Sequence, residues 1–319
     1  MTVRARDLGI RIGMLEPGPG NAITDVPGVR VGHATIIEGD GPLVVGRGPV
    51  RTGVTVVLPH DGDPFREGVF AGCHRLNGNG ELTGLEWIRE AGLLGSPIAI
   101  TNTHSVGVVR DALCEVAALS SGEGPAWALP VVGETYDGAL NDIDGRHVRD
   151  EHVRSALASA APGPVAEGNV GGGTGMICHR FKGGIGTASR RLAADDGGFT
   201  VGVLVQANYG DRERLAIMVR QDTEHRFGAD IRLANEGTEF FAVALLDGGE
   251  FVGRHGHNFR GEGGKHRARF RRLHDAADLA VQAQHDVARH ASRRINAEQR
   301  IALDVDARLG ERRRIGKQR

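Results

Sequence analysis

The segment Phe199-Thr200-Val201-Gly202-Val203-Leu204-Val205-Gln206-Ala207, followed directly by Asn208-Tyr209-Gly210, carries the strongest strand signal in the chain. A continuous run of β-branched and apolar residues that ends at a polar and glycine cluster is typical of a strand buried in a sheet. Outward from it, Thr52 to Leu58 alternates and stops before Pro59, and Pro97 to Thr101 is a second buried-strand candidate. These segments predict a sheet.

Helical spacing predicts two helices between these strands. Leu82 to Ala91 has apolar residues near helical spacing and Gly92 as a stop, and Gly107 to Leu119 repeats the pattern over a longer stretch. Ile23 to His33 instead predicts two short extended pieces around a Pro-Gly turn. Strands and helices alternate without a regular period, so we expect an α+β or layered α/β fold rather than a barrel.

The charge distribution divides the chain into an acidic body and a basic tail. Residues 1–250 contain 22 Lys+Arg against 32 Asp+Glu, whereas residues 251–319 contain 17 against 8. We therefore expect one domain over residues 1–247 and a basic, partly helical segment over residues 248–319. The tail shows no nucleic-acid motif, so docking or solvation is favoured over nucleic-acid binding.

Composition narrows the functional classes. Aromatic residues are only 4% of the chain, which disfavours aromatic platforms for nucleic acid, and no apolar run is long enough to cross a membrane. Cys73, Cys114 and Cys178 are widely spaced, so free thiols in a reducing compartment are expected. Residues 1–12 lack the apolar core of a signal peptide. We expect a cytoplasmic protein.

The sequence contains no clear motif for binding a nucleotide or a metal. The glycine-rich stretch from Gly168 to Met176 matches neither a dinucleotide fingerprint nor a phosphate loop, and close packing of backbone layers explains its glycines better. The histidines near His60 and His255 lack helical metal-ligand spacing. No Gly-x-Ser-x-Gly elbow is present. We expect no metal and no organic cofactor.

A Gly-Thr pair precedes an apolar run in Gly237-Thr238-Glu239-Phe240-Phe241-Ala242-Val243-Ala244-Leu245-Leu246-Asp247. Cleavage between Gly237 and Thr238 would place a hydroxyl and a free α-amino group on Thr238. Since an α-amino group has a pKa of roughly 7.7–8.0, such a residue can act as nucleophile and base together. On local chemistry alone, a loop that enters a strand is the more common explanation of this pattern.

Several longer motifs resemble one family of self-processing hydrolases. In chain order they are Ile23–His33 (ITDVPGVRVGH), Thr52–Pro59 (TGVTVVLP), Gly78–Trp87 (GNGELTGLEW), Thr101–Val109 (TNTHSVGVV), Gly133–Asp142 (GETYDGALND), Glu167–Arg190 (EGNVGGGTGMICHRFKGGIGTASR) and Val201–Gly210 (VGVLVQANYG). Together they resemble the L-aminopeptidase/D-esterase and β-peptidyl aminopeptidase family over roughly the first two thirds of the chain.

The resemblance implies an αββα sandwich related to the ornithine acetyltransferases, self-cleavage into two subunits, and a homo-oligomer, often a tetramer. It implies hydrolysis of N-terminal residues from small peptides, amides or esters. Asn208 matches the family asparagine that helps to form the oxyanion hole, and Tyr136 matches the active-site tyrosine. Glu134 is a candidate for binding the free amino terminus of a substrate.

The chain departs from the family pattern at the nucleophile. Counting back from Asp247 puts Glu239 where the family has serine, with Thr238 one residue earlier. The downstream Ser-Gly-Glu or Ser-Gly-Asp signature is missing, since Ser292, the only serine after Ser189, precedes Arg293. A divergent C-terminal half, a frame error in the coding sequence and degeneration all remain open explanations.

Three functions are therefore compared. The first is an N-terminal-nucleophile aminopeptidase or amidase in which Thr238 attacks, its α-amino group takes the proton, Asn208 stabilises the oxyanion and Tyr136 positions the reacting groups. The second is an unprocessed, catalytically impaired relative. The third is acyl transfer, by analogy with the related acetyltransferases.

Overall fold

The computed structural model describes residues 4–9, 15–74, 78–122, 126–215, 217–221, 227–231 and 238–246, the last three segments by their backbone. The sequence-predicted segment 248–319 and Gly237 lie outside these ranges.

The described residues form short strands and three helices. The strands are β1 (Arg30–Glu38), β2 (Val50–Leu58), β3 (Val69–Phe70), β4 (Leu93–Leu94), β5 (Ile98–Asn102), β6 (Val131–Thr135), β7 (Ile177–Cys178), β8 (Phe181–Lys182), β9 (Gly184–Arg191), β10 (Thr200–Tyr209), β11 (Ile217–Gln221), β12 (Phe227–Ile231) and β13 (Thr238–Leu246). The helices are α1 (Leu85–Ala91), α2 (Val106–Ser121) and α3 (Asp150–Ala158).

Two sheets organise these strands. The larger has the order β1-β2-β5-β6, in which β5 and β6 run parallel and the other neighbours antiparallel. The second has the order β13-β10-β9 and is antiparallel throughout. Two-stranded pairs join β3 to β4, β7 to β8 and β11 to β12.

Helices α2 and α3 pack on the four-stranded sheet through a hydrophobic cluster. Its buried members are Ala34, Ile36, Val50, Val54, Val56, Ala99, Val106, Val109, Ala112, Leu113, Val132, Val148, Val153 and Ala156. Helix α2 contributes residues at helical spacing, and the strands contribute alternating positions, as their two periodicities require. This cluster is the main apolar core of the described residues.

A glycine-rich turn lies between the two sheets. Residues Gly171–Gly173 form a 3-10 turn, and the Gly172 N–H donates to Thr55 Oγ1 at 3.1 Å. A Cβ atom added at Gly172 would lie 2.7 Å from the carbonyl oxygen of Ile100, closer than side chains approach a backbone. The glycines therefore permit close backbone packing, as the sequence predicts.

Gln206 of β10 joins the second sheet to the first. Its buried side-chain amide donates to the Thr101 carbonyl at 3.1 Å and to Thr135 Oγ1 at 2.8 Å. Leu204 and Ile185 of the second sheet share a second apolar cluster with Ile100 of the first. Mixed strands and helices in this arrangement confirm the α+β class.

Most sequence-predicted elements are confirmed with small changes at their ends. Helix α1 begins at Leu85 because Gly84, with φ 73°, precedes it, and Gly92 ends it in the left-handed region. Two extended pieces were predicted in Ile23 to His33, and the prediction of the first is wrong, since Ile23–Asp25 forms a 3-10 turn. The Asp25 carboxylate accepts hydrogen bonds from the N–H groups of Gly20 and Ala22, which bends the chain there.

Candidate active site

Asn208 lies near the end of β10 with its side-chain amide held by two backbone groups. Its Oδ1 accepts a hydrogen bond from the Ile177 N–H at 3.0 Å, and its Nδ2 donates to the Tyr136 carbonyl at 2.9 Å. Because a backbone N–H only donates and a carbonyl only accepts, these contacts decide which end of the amide carries the nitrogen. The amide nitrogen therefore faces the segment that follows β6.

The Ile177 N–H belongs to a hairpin with an unusual turn. His179 and Arg180, the two turn residues between β7 and β8, both have positive φ, at 50° and 61°. Such type I′ turns normally contain Asn or Gly. Here the His179 N–H donates to the Tyr209 carbonyl at 2.6 Å, and the Arg180 guanidinium pairs with Asp211 at 2.9 Å. These contacts hold the hairpin beside the end of β10.

Cys178 and Tyr209 lie beside Asn208 but are poorly suited to nucleophilic chemistry. Burial raises the pKa of the Cys178 thiol above its ordinary value. Burial, together with the neighbouring Cys178, raises the pKa of Tyr209 to about 12. A thiol nucleophile needs a lowered pKa, so Cys178 is a structural neighbour of the site.

Tyr136 follows β6 directly and is 49% exposed. Its ring folds back over Gly138, where an added Cβ atom would collide with the tyrosine hydroxyl. A residue with a side chain at position 138 would therefore displace the ring. Tyr136 thus presents its carbonyl to Asn208 and keeps its phenol at the surface of the same loop.

Glu134, near the end of β6, is a buried carboxylate with 8% exposure. Its Oε1 accepts a hydrogen bond from the Glu81 N–H at 2.8 Å, and its Oε2 accepts one from Thr103 Oγ1 at 2.5 Å. Both donors are neutral groups, so these contacts orient the carboxylate without neutralising its charge. Such a group is suited to an incoming cation, because a buried charge is stabilised by a paired one.

The register of β13 places two positions beside Asn208. Backbone pairing sets Glu239 opposite Asn208 and Thr238 opposite Tyr209. Directly paired residues share one face of a sheet and successive residues alternate, so position 239 shares the face of Asn208 and position 238 lies on the other. Both positions lie at the end of the sheet where Asn208 is held.

A buried polar cluster lies under residues 136–149, the segment between β6 and α3 that is called the Tyr136 loop below, and sequence reasoning did not single it out. Asp137 is fully buried, and its Oδ1 accepts a hydrogen bond from Asn141 Nδ2 at 3.0 Å. Asn102 donates to Thr52 Oγ1 at 2.8 Å, and both side chains also face the Asp137 carboxyl. Burial raises the pKa of Asp137 above its ordinary value. The motifs from Thr52, Thr101 and Gly133 contain all four residues, but sequence cannot show that they meet.

Within the described ranges, no three His, Cys, Asp or Glu side chains converge as a metal site. The imidazole of His60 is occupied, with Nε2 facing the Glu67 carbonyl at 2.8 Å and Nδ1 accepting the Gly62 N–H at 2.9 Å. His255 lies outside the described residues. Among the helices that the structure describes, none has both the length and the hydropathy of a membrane-spanning segment.

Comparison with known proteins gives a consistent result. The sequence model of peptidase family S58 matches residues 21–239 of this chain. The chain is 56% identical over 215 residues to "Beta-peptidyl aminopeptidase BapA" of Sphingosinicella microcystinivorans, covering 67% of this chain and 53% of that protein. The chain thus spans about half the length of the curated relatives it matches.

The similar solved structures include the following two. A Burkholderia sp. β-aminopeptidase superposes with a TM-score of 0.64 at 64% identity, covering 67% of this chain and 59% of that one. The L-aminopeptidase D-Ala-esterase/amidase from Ochrobactrum anthropi, described as a serine aminopeptidase prototype and a variant of the Ntn hydrolase fold, superposes with a TM-score of 0.61 at 51% identity. That superposition covers 66% of this chain and 59% of the other.

Proposed function

Because the chain belongs to peptidase family S58, we propose that it is an aminopeptidase that removes N-terminal residues from small peptides, amides or esters. The observation that carries the proposal is the placement of Asn208. Its amide nitrogen is oriented by Ile177 and Tyr136 at the end of the sheet where Thr238 begins the paired strand. Acyl-transfer chemistry requires an oriented amide donor, and Asn208 lies at the same end of the sheet as the candidate nucleophile, although the strand register puts position 238 on the opposite face.

The proposed nucleophile is generated by cleavage between Gly237 and Thr238. The Thr238 hydroxyl attacks the Gly237 carbonyl, the peptide C–N bond breaks, and an ester forms while the α-amino group of Thr238 is released. Water then hydrolyses the ester, which leaves the Gly237 carboxylate and a free Thr238. In turnover, the Thr238 hydroxyl attacks the substrate carbonyl and its α-amino group accepts the proton.

Asn208 is the proposed oxyanion donor. Its Nδ2 donates to the Tyr136 carbonyl, and we assign the same amide nitrogen to the negative oxygen of the tetrahedral intermediate. Tyr136 positions the nucleophile or the intermediate through its phenol. The acyl-enzyme is then hydrolysed by water.

Glu134 is the proposed partner of the substrate's free amino terminus. Its carboxylate is buried, hydrogen-bonded on both oxygens and directed by neutral donors, so an ammonium group would supply the missing positive charge. It precedes Tyr136 by two positions on the same segment, which supports a role in the same site. Recognition of a free amino terminus would limit the enzyme to cleavage at the first residue.

We also infer the larger arrangement. The helix-covered four-stranded sheet and its second sheet support an αββα sandwich, with residues 1–247 as the hydrolase domain and 248–319 as a separate basic segment. A homo-oligomer, with a tetramer expected from the family resemblance, is part of the proposal. The reaction as proposed requires no metal and no organic cofactor.

The mass of the purified protein under denaturing conditions tests the proposal. We expect two fragments that meet at Gly237 and Thr238. The Thr238→Ala variant should remain uncleaved and inactive, while Glu239→Ala should still be cleaved. A wild-type protein that stays at 33.9 kDa after prolonged incubation would overturn the proposed nucleophile. Cleavage lost in Glu239→Ala but kept in Thr238→Ala would also contradict Thr238 as the nucleophile.

A further inference from the structure

Asp137 is a buried carboxyl group that only neutral side chains face among the described residues. It is fully buried, and the side chains that face it are Thr52 from β2, Asn102 from β5 and Asn141 from its own loop. None of these three side chains titrates or carries a charge. An ionised carboxylate in such a place would lack the positive partner that a buried charge normally requires.

Two buried acceptor oxygens lie in the cluster around Asp137. Asp137 Oδ2 and Asn102 Oδ1 are both buried acceptor atoms with no partner at good hydrogen-bond geometry among the described residues, although the Thr52 hydroxyl and the Asn102 amide lie close enough to the carboxyl to interact with it. The Asn102 nitrogen is directed instead to Thr52 Oγ1, at 2.8 Å. A proton on Asp137 Oδ2 would give the carboxyl a donor for a neighbouring acceptor oxygen, and buried polar atoms rarely remain without partners.

Asp137 also anchors the loop that meets Asn208. Its backbone carbonyl accepts the N–H groups of Leu140 and Asn141 at 3.0 and 3.1 Å, and its side chain binds the Asn141 amide. The preceding residue, Tyr136, gives its carbonyl to Asn208 Nδ2. A displacement of Asp137 would therefore move the carbonyl that orients the Asn208 amide.

We propose that Asp137 is a neutral carboxylic acid at pH 7 and acts as a positioning residue. It fixes the Tyr136 loop, and the Tyr136 carbonyl in that loop orients the amide of Asn208. The protonation state stands on the buried cluster alone. The positioning role rests on the proposed function, in which Asn208 is the oxyanion donor.

One rearrangement competes with the proposal. If the Asn102 amide is rotated, its nitrogen donates to an ionised Asp137 while the Thr52 hydroxyl turns toward the Asn102 oxygen. Burial of the carboxyl among neutral side chains raises the pKa of Asp137, which is the direction of the protonated form. The two arrangements differ by one proton, so spectroscopy and pH dependence separate them.

Infrared difference spectra of wild type against Asp137→Asn give the first test. At pH 7 we expect a protonated carboxyl C=O band that is absent from Asp137→Asn and unchanged in the control Asp144→Asn, an exposed carboxyl in the same loop. A carboxylate band in place of the protonated one would overturn the proposal. This measurement is independent of self-cleavage and activity.

Thermal unfolding against pH gives the second test. An acid whose folded-state pKa lies above its ordinary value of 3.8 stabilises the fold fully below that value, and this contribution disappears as the pH rises through the folded-state pKa. The Tm of Asp137→Asn relative to wild type should therefore rise with increasing pH above about 4. A constant difference across the pH range would contradict a raised pKa.

Positioning is tested by the side-chain signals of Asn208 and by kcat. The Asn208 amide resonances, assigned with Asn208→Asp, should shift in Asp137→Ala and stay unchanged in Asp144→Asn. In cleaved, active protein we expect Asp137→Asn within about 3-fold of wild-type kcat and Asp137→Ala about 10- to 100-fold lower with little change in KM.

Unshifted Asn208 signals in Asp137→Ala would overturn the positioning role, and so would a large loss in Asp137→Asn. If Asp137→Ala does not fold, the positioning role is tested by Asp137→Asn alone. Its kcat and its Asn208 amide resonances should then stay close to those of wild type, and a large change in either would overturn the role. If the protein is neither cleaved nor active, the proposed function fails, while the spectra and the Asn208 signals still test Asp137.

Discussion

The end of β6 and the loop that follows it each bury a carboxyl group, only three positions apart. Glu134 accepts hydrogen bonds on both oxygens, from the Glu81 N–H and the Thr103 hydroxyl. Asp137 accepts one from Asn141, and its second oxygen has no partner at good hydrogen-bond geometry in the part of the chain that the structure describes. Burial is similar at the two positions, so it does not separate their roles.

The difference lies in the donors that surround each group. A carboxylate whose oxygens are both held by neutral donors keeps its orientation and can pair with an ammonium group from a substrate. A carboxyl that lacks a donor among neutral neighbours is more stable when it carries its own proton. This difference supports the proposals that Glu134 binds the substrate amino terminus and that Asp137 is a neutral group of the protein interior.

The largest expected effect concerns the amide that the Asp137 loop orients. Asn208→Asp keeps an acceptor for the Ile177 N–H but loses the nitrogen that donates to Tyr136. We expect kcat to fall by about 10²–10³-fold, the usual loss for one oxyanion-hole donor. The measurement is steady-state hydrolysis of an amino-acid anilide by the cleaved protein.

Asn169→Asp is the control for this substitution, because that asparagine is exposed. If Asn208→Asp is as active as the control, Asn208 takes no part in the reaction. The proposal that Asp137 positions Asn208 for catalysis would then be wrong as well.

A smaller effect should separate the two carboxyl groups directly. Glu134→Gln preserves shape but removes the charge that the substrate ammonium needs, so we expect kcat/KM to fall by about 30-fold, mainly through KM. Asp137→Asn should change kcat/KM little, because it replaces one neutral group by another. Kinetics of the two variants on the same peptide give the comparison.

An ester substrate without a free amino group provides the control for Glu134. On that substrate Glu134→Gln should match wild type, since no ammonium group is present. If both variants respond alike on the peptide, the proposed division between the two carboxyl groups is wrong.

The smallest expected effect concerns the donor that holds Glu134. Thr103→Val removes the hydroxyl from Glu134 Oε2 but leaves the Glu81 N–H on Oε1. We expect KM to rise by about 5- to 10-fold, consistent with one hydrogen bond to a charged group. Thr24→Val is the matched control, because the Thr24 hydroxyl donates to the Gly163 carbonyl and not to Glu134. An unchanged KM in Thr103→Val would show that Thr103 does not orient the carboxylate in the bound state.

Local pattern predicts several elements because their signals are contained within each segment. Strand β10 follows from its run of β-branched residues, and α2 follows from apolar residues at helical spacing. Sequence pattern did not predict the 3-10 turn at Ile23–Asp25. The turn is held by hydrogen bonds from backbone N–H groups to the Asp25 side chain, and hydrophobic periodicity carries no information about such contacts. The register between β10 and β13 is likewise a pairing of distant segments.

The candidate site divides in the same way. The motifs that contain Glu134, Tyr136 and Asn208 are readable as sequence, and they were sufficient to indicate the family and its chemistry. The partners of these side chains were not readable, because Ile177, Thr103 and Glu81 come from other segments of the chain. The same holds for Asn102 and Thr52 beside Asp137.

The sequence by itself determined the strand and helix types, the family and the residue types available for acyl-transfer chemistry. Only the tertiary structure decided which way the Asn208 amide points, which positions of β13 lie beside it, and which buried carboxyl has its oxygens satisfied. The physical reason is that residue type sets what a group can donate or accept, whereas its charge and orientation depend on burial and on partners that folding brings from distant segments.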